Sequence, residues 1–303
     1  MTDGARVRVP CSTSNLGAGF DCVGAALDRW LEAEVRVGGA RGVTIAREGT
    51  LAALGDYPAE DDYVMQGFRL ACVRAGVAVP EALAFRMRSE IPVARGLGSS
   101  AVSLVAGEML AGEALGLGLS KADYLTIGAD FEGHPDNVAP IVLGGAVLAV
   151  PGPDGWAWTP LDVHPSLGIA LAVPDFETST KEMRAALPPT VPYRDAVLAA
   201  GKAAALVRGL ATGDPAFLAH ALDDVLHVPY RRGYMAGYDD VVHAARQAGA
   251  FGATLSGSGS TVLALAPHDR VAAVCDAMRG TWQSSGVAAD AAPARLAPGA
   301  TVG

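Results

Sequence analysis

Apolar and polar residues alternate in four short stretches of the first half of the chain: Arg6–Pro10, Glu32–Val37, Gly42–Arg47 and Ala84–Ser89. Alternation puts every second side chain on one face, so these stretches predict β-strands. Tyr63–Ala75, Ser100–Leu115 and Ser120–Phe131 instead repeat their apolar residues at the spacing of helical turns. Gly144–Val150 is a further apolar run, and PGPDGW from Pro151 to Trp156 has the Pro, Gly and Asp density of a turn or linker. A boundary between two domains, 1–152 and 153–303, is placed there. The second half opens on an apolar strand, Leu167–Val173, followed by Ala-rich helical periodicity at Tyr193–Leu210, Pro215–Leu226 and Asp239–Ala248. Gly252–Ser256 and Thr261–Ala266 predict a hairpin, with a helix after it near His268–Arg279. Strands and helices are mixed in each half, which predicts an α+β fold with each domain a mixed sheet layered with helices. The Ala/Pro/Gly-rich tail after Val287 has no periodicity and is expected to be poorly ordered.

A chain of 303 residues suits two domains, and its 50% hydrophobic content can bury a sizeable core. Gly, Pro or a charge interrupts every apolar stretch before the roughly 18 residues that a membrane-spanning helix needs. The start, MTDGARVRVP, enters a strand-like segment without an apolar signal core, so a cytoplasmic protein is expected. A net charge of −9 and a pI near 5.1 exclude nucleic acid or an anionic membrane as partner, because no basic stretch exists to neutralise phosphates. Any phosphate site must therefore be local. Cys11, Cys22, Cys72 and Cys275 form no C-x-x-C pair and the histidines no ligand spacing, which argues against a disulfide framework and a structural metal.

Candidate chemistry lies in three Gly-rich segments and one acidic one. In IPVARGLGSSAVSLVAGEML (91–110), Gly96 and Gly98 precede Ser99, Ser100 and an apolar helix. This aims unpaired N–H groups and the positive end of a helix dipole at one point, as a polyphosphate requires. A Walker A loop is excluded because no Lys precedes Ser99. GLGSSA meets the loose dinucleotide pattern, but the acidic residue due about 20 residues on is replaced by LGLSKADYL, where Ser120 and Asp123 stand in capping-box spacing. A ligand-free Gly-Ser helix cap stays open on this segment alone.

VPCSTSNLGAGFDCVGAAL (9–27) presents Asn15, Gly17, Gly19 and Asp21 as a polar loop between apolar elements, or else as an ordinary tight turn. GATLSGSGSTVLAL (252–265) by itself reads as a hairpin turn. DFEGHPDNVAP (130–140) gathers Asp130, Glu132, His134, Asp136 and Asn137, which suits either a carboxylate for Mg²⁺ beside the Ser99–Ser100 loop or a polar helix end.

Together these segments resemble the GHMP kinases: a P-x-x-x-G-L-G-S-S-A loop from Pro92 to Ala101, an N-terminal substrate loop, and S-G-x-G from Ser256 to Gly259. NLGAGFD, EGHPDNVAP, STKEMR (179–184) and LHVPYR (226–231) are most similar to the homoserine kinases, and the likeness runs from residue 7 to about 266. The resemblance implies a two-domain GHMP kinase fold with the active site in the groove between domains. It implies ATP on Pro92, Arg95, Gly96, Leu97, Gly98, Ser99, Ser100 and Ala101 with Ser256 and Gly257, and Mg²⁺ on Ser100 and Glu132. L-homoserine would meet Asn15, Asp21, His134, Asn137, Thr180, Arg184 and Arg231, matching a zwitterion whose carboxylate wants guanidinium groups and whose ammonium wants an acid.

The implied reaction is phosphorylation of the homoserine hydroxyl to O-phospho-L-homoserine, a step of threonine biosynthesis, with Asn137 and Glu132 in the catalytic roles. Asn137 would orient the hydroxyl for in-line attack. Asp21 could hold the ammonium or take the hydroxyl proton, and the ammonium role is preferred because phosphoryl transfer does not demand a strong base. Ser260 replaces a usual Pro and Tyr63 a common Asn, so nucleotide preference is left open. Another carboxylate-bearing alcohol as substrate, a catalytically inactive regulator and, third, a NAD-dependent oxidoreductase are the competing readings. A homodimer is left open as the one macromolecular partner.

Overall fold

The structure, a computed structural model, describes residues 4–153 and 155–303. Met1–Asp3, and Asp154 of the PGPDGW segment, lie outside them. The strands are β1 (Gly4–Thr13), β2 (Val23–Val37), β3 (Gly42–Gly49), β4 (Ala82–Ser89), β5 (Ala146–Gly152), β6 (Gly155–Leu161), β7 (Leu167–Pro174), β8 (Gly252–Leu255), β9 (Val262–Pro267), β10 (Ala289–Ala294) and β11 (Thr301–Val302). The helices are α1 (Tyr63–Ala75), α2 (Ser99–Ala114), α3 (Lys121–Glu132), α4 (Val138–Leu143), α5 (Thr180–Ala185), α6 (Tyr193–Thr212), α7 (Pro215–Ala221), α8 (Val228–Arg231), α9 (Tyr238–Gln247) and α10 (Val271–Ser284). Among the described residues no helix is long and apolar enough to cross a membrane.

One sheet has seven strands, ordered β11-β1-β2-β4-β3, with β5 on β2 and β6 on β5. The other has four, ordered β10-β7-β9-β8. The register of β1 on β2 shifts between Pro10 and Cys11, where Pro has no N–H for the ladder. Helix α2 packs between α1 and the first sheet, and thirteen of its sixteen residues are buried, which makes it a core helix. Strands β7 and β9 are walls shared by two cores. Their Ile169, Leu171, Leu263 and Leu265 join the main cluster with Leu206 and Leu218 of α6 and α7. Their Ala170, Ala172, Val262 and Ala264 face the second cluster with Val241 of α9 and Trp282 of α10.

Two expectations are corrected. The change of sheet does not fall at the PGPDGW segment: Pro151 pairs with Trp156 and Gly152 with Gly155 between β5 and β6, both strands belong to the first sheet, and the chain passes to the second sheet between Leu161 and Leu167. The tail after Val287 is ordered, because β10 pairs along β7 and β11 pairs with β1. Its Ala and Pro residues carry no period of their own, and the ladder they join is supplied from far away in the chain. A third difference is local. The predicted helix 215–226 stops at Ala221, because the Asp224 carboxylate accepts the N–H groups of Leu226, His227 and Val228 at 2.7–3.1 Å.

Candidate active site

The first segment, at the start of α2, is built by backbone conformation. Gly98 is left-handed (φ 67°, ψ 24°) and no side chain caps the helix, so the leading N–H groups of α2 have no side-chain acceptor. A Cβ on Gly98 would lie 2.3 Å from Ser12 Oγ, and one on Gly96 would lie 2.1 Å from the Ser256 carbonyl. Only glycine lets the three Gly-rich segments close on one another. They are tied together by N–H groups: Ser12 donates to Leu97 O (3.3 Å), Gly257 to Ser14 O (2.9 Å) and Thr261 to Arg95 O (3.1 Å). The buried Ser256 hydroxyl donates to Gly96 O at 2.7 Å and meets the Thr13 hydroxyl at 2.8 Å.

Above this junction lies a cavity of about 620 Å³ lined from both sheets' layers. Gly96, Gly98, Ser99, Ser100 and Glu132 line it together with Asn15, His134, Asn137, Thr180, Arg184, Arg231 and Gly257. Leu51, Leu54, Tyr57, Tyr63 and Phe131 form an apolar end, where Tyr63 and Phe131 meet edge to face at 6.3 Å. The acidic segment sits here because α3, capped at its start by the Ser120–Asp123 box, ends at Glu132 on left-handed Gly133. Glu132 Oε1 lies 3.5 Å from the Ser100 hydroxyl, and burial raises its carboxyl above the ordinary range. Uncapped N–H groups together with a Ser–Glu oxygen pair fit a nucleotide triphosphate and a hard divalent cation.

Several expected residues are placed differently in detail. Leu97 and Ala101 are wholly buried, so only their backbone can serve the cavity. Pro92 and Ser256 do not line it either. Arg95 lines it, yet its guanidinium donates to the carbonyls of Val93, Pro174 and Asp175 at 2.8–3.2 Å and pairs with Glu177 at 3.2 Å. That group latches the loop to the end of β7. Ser260 is buried and donates to Phe176 O at 2.6 Å, away from the cavity.

At the far end Asn15 and Asp21 adopt φ values of 55° and 54°, a strained left-handed backbone that Asn and Asp tolerate best. The Asp21 N–H donates to Asn15 Oδ1 (2.9 Å), and the Asn15 side-chain amide donates to Gly257 O (3.1 Å). The Asp21 carboxylate does not line the cavity; it receives a two-pronged grip from Arg184 at 2.6 and 3.0 Å. Arg231 is 2% exposed and among the described residues meets only uncharged acceptors: Met183 O at 3.2 Å, His227 Nδ1 at 3.3 Å and Gly257 O at 3.4 Å. Burial first, and the neighbouring Arg184 charge second, pull its guanidinium down to about 10. His227 is held neutral by burial, so its Nδ1 can accept from Arg231 while Nε2–H donates to Gly17 O at 3.4 Å.

Sequence reasoning named Asp136 without giving it a role, and missed Ser12, His227 and Lys181. Buried Asp136 accepts the Asn15 N–H at 3.0 Å and contacts His134 Nδ1 at 2.8 Å. Ser12 donates to Asn137 Oδ1 at 2.9 Å, which leaves the Asn137 NH₂ without a partner among the described residues. Lys181 lines the cavity and likewise has no ionic partner among them. Asp136 and His227 already stood inside the EGHPDNVAP and LHVPYR strings, but nothing local shows that they act on other side chains.

Beneath the site, both carboxyl oxygens of wholly buried Glu108 on α2 lack partners among the described residues. Burial, helped by the Glu132 charge, holds this carboxyl well above its ordinary 4.5. The folded chain keeps that proton to a higher pH than the unfolded one, so the stability involved is complete below about 4.5 and is lost as pH rises through the folded value. Wild type is therefore expected to lose about 1–3 kcal/mol relative to Glu108→Gln on going from mildly acidic to alkaline pH. Thermal melts of both proteins across that range test it; a constant difference in Tm would show that folding does not shift the Glu108 carboxyl.

Protein-family models for the GHMP kinases match this chain twice: the N terminal domain over residues 62–145 and the C terminal over residues 203–284. The homoserine kinase of Gloeobacter violaceus is 43% identical over 283 residues, covering 92% of this chain and 93% of its own. That of Synechococcus sp. is 41% identical over 285 residues, covering 93% and 92%. The crystal structure of homoserine kinase from Cytophaga hutchinsonii superposes with a TM-score of 0.88 at 29% identity, covering 100% of this chain and 98% of that one. The L. major mevalonate kinase shares the fold alone, with a TM-score of 0.73 at 16% identity over 96% and 95% of the two chains. The chain belongs to the homoserine kinase family of the GHMP kinases.

Proposed function

We propose that the chain transfers the γ-phosphoryl group of ATP to the hydroxyl of L-homoserine, giving ADP and O-phospho-L-homoserine. The observation that carries this reading is that one cavity is lined by two unlike sets of groups. An uncapped helix N-terminus beside Ser100 and Glu132 is one, and a buried guanidinium, Arg231, with no carboxylate partner among the described residues is the other. The names of the relatives point the same way.

In this reading the α2 N–H groups and Ser99 receive the phosphates, Ser100 and Glu132 hold Mg²⁺, and the Leu51–Leu54–Tyr57–Tyr63–Phe131 end accepts the base. The metal neutralises charge developing on the phosphates. Lys181 adds a cation to the cavity wall. Arg231 and the free donors of Arg184 take the substrate carboxylate. Asp21, already gripped by Arg184, keeps oxygen lone pairs for the ammonium. Asn137, tied through Oδ1 to Ser12, turns its NH₂ toward the hydroxyl oxygen, while Asp136 keeps Asn15 and His134 in place. Oxygen forms the new bond to the γ-phosphorus as the bond to the ADP oxygen breaks; a loose transition state needs alignment more than prior deprotonation, so the hydroxyl proton leaves late, to an oxygen of the transferred phosphoryl group and from there to solvent.

A panel of alcohols in an ADP-release assay with ATP and Mg²⁺ tests the substrate. L-homoserine is expected to react far faster than galactose or mevalonate, since neither pairs an ammonium with a carboxylate. Equal rates across the panel would overturn the assignment.

A further inference from the structure

Phe20 lies in the NLGAGFD loop beside Asp21, partly buried and behind the cavity rather than lining it. Its ring stacks on the His227 imidazole, with centroids 5.1 Å apart and planes 20° from parallel. The same ring carries two cations: the guanidinium carbons of Arg184 and Arg231 lie over it, 5.4 and 5.3 Å from the centroid. Three groups with different partners thus meet at one side chain. His227 in turn accepts from Arg231, and Arg184 grips the neighbouring Asp21.

We propose that Phe20 is the positioning residue of the acceptor end: its ring holds the Arg184 and Arg231 guanidiniums together while taking none of their N–H groups, so those not already given to Asp21, Met183, His227 and Gly257 stay available for one carboxylate. This rests on the reading that those two arginines take the carboxylate of the substrate. Arg184 is exposed and already paired with Asp21, but Arg231 is buried beside it, so Arg231 both loses water and feels the Arg184 charge, and some group must offset that before substrate arrives. A carboxylate in place of the ring would neutralise Arg231 and occupy the N–H groups that the substrate needs. An aliphatic side chain would fill the space and offset nothing. An aromatic face attracts cations through its quadrupole without accepting their hydrogen bonds in the ring plane, so the charge and the donors both survive. The long contacts of Arg231 to neutral acceptors, and its guanidinium lowered to about 10, accord with a cation kept ready but uncompensated.

The test compares Phe20→Leu, which keeps apolar volume without a ring, with Phe20→Tyr, which keeps the ring. Phe20→Met serves as the ringless variant if leucine prevents folding. Steady-state kinetics are measured for L-homoserine and ATP, and the Kd of L-2-aminobutyrate, which has the charges but no hydroxyl, is measured by calorimetry. The ringless variant is expected to raise KM for homoserine and Kd for aminobutyrate roughly 10- to 30-fold, with kcat and KM for ATP near wild type. Phe20→Tyr should stay near wild type throughout. A ringless variant with unchanged KM and Kd, an equal loss on ATP and homoserine, or a tyrosine variant as impaired as leucine would each overturn the proposal. If wild type binds aminobutyrate but turns over no homoserine, the proposed function fails alone and the Kd comparison still decides the role of Phe20. A wild type that binds neither compound overturns both.

Discussion

Glu132→Gln is expected to lower kcat by about 10²-fold or more and to raise the Mg²⁺ concentration needed for half-maximal activity steeply, since several kcal/mol of charge stabilisation passes through the metal. The substitution keeps the shape of the side chain and its contact with Ser100, 3.5 Å away, and removes only the negative charge. A hard cation prefers anionic oxygen, and glutamine offers a neutral one. The helix that carries Glu132 should be undisturbed, because its Ser120–Asp123 capping box is eleven or so residues away at the other end. Folding is therefore checked by an unchanged Tm, and the metal requirement by titrating Mg²⁺ at saturating ATP and homoserine. Wild-type rates at limiting Mg²⁺ would reduce Glu132 to a polar helix end.

Arg231→Ala is expected to weaken homoserine binding by ~10- to 150-fold, the equivalent of a charge-assisted hydrogen bond of ~1.5–3 kcal/mol, with KM for ATP little changed. Its contacts at 3.2–3.4 Å to Met183, His227 and Gly257 are poor substitutes for a carboxylate, so most of the loss should appear as substrate affinity. Some loss of Tm is expected as well, because a side chain in a site 2% exposed leaves a void behind it. Arg231→Lys separates the two effects: it restores charge and much of the volume but not the two-pronged geometry, and should recover only part of the affinity. A large ATP defect with normal KM for homoserine would move Arg231 to the nucleotide end.

How far the sequence could be read depended on whether a contact was local. Tyr63–Ala75 was legible to the residue because Asp62 caps the helix at Val64 N and Gly76 ends it in a left-handed turn, all within the segment. The Gly98–Ser99 helix start, the Ser120–Asp123 box and the hairpin at Gly252–Ala266 were legible for the same reason. The PGPDGW turn was seen, but not what it joined, since a Pro/Gly turn looks alike within a sheet and between domains. The tail after Val287 was unreadable: β10 is a strand only because β7 offers an edge more than a hundred residues earlier in the chain.

For the site, the sequence by itself determined which chemistry was available. It set glycines where backbones must approach, Ser100 and Glu132 for a cation, and arginines and an aspartate for a zwitterion in an otherwise acidic chain. Only the tertiary structure decided what each charge is spent on. Arg184 reaches Asp21 across 163 residues, Arg95 turns to carbonyls at the end of β7, and Arg231 is buried on neutral acceptors. Residue type states that a guanidinium can pair. Which partner it meets, and how much water remains around it, depends on loops that touch only after both sheets are assembled, because Coulomb attraction and desolvation act through space rather than along the chain.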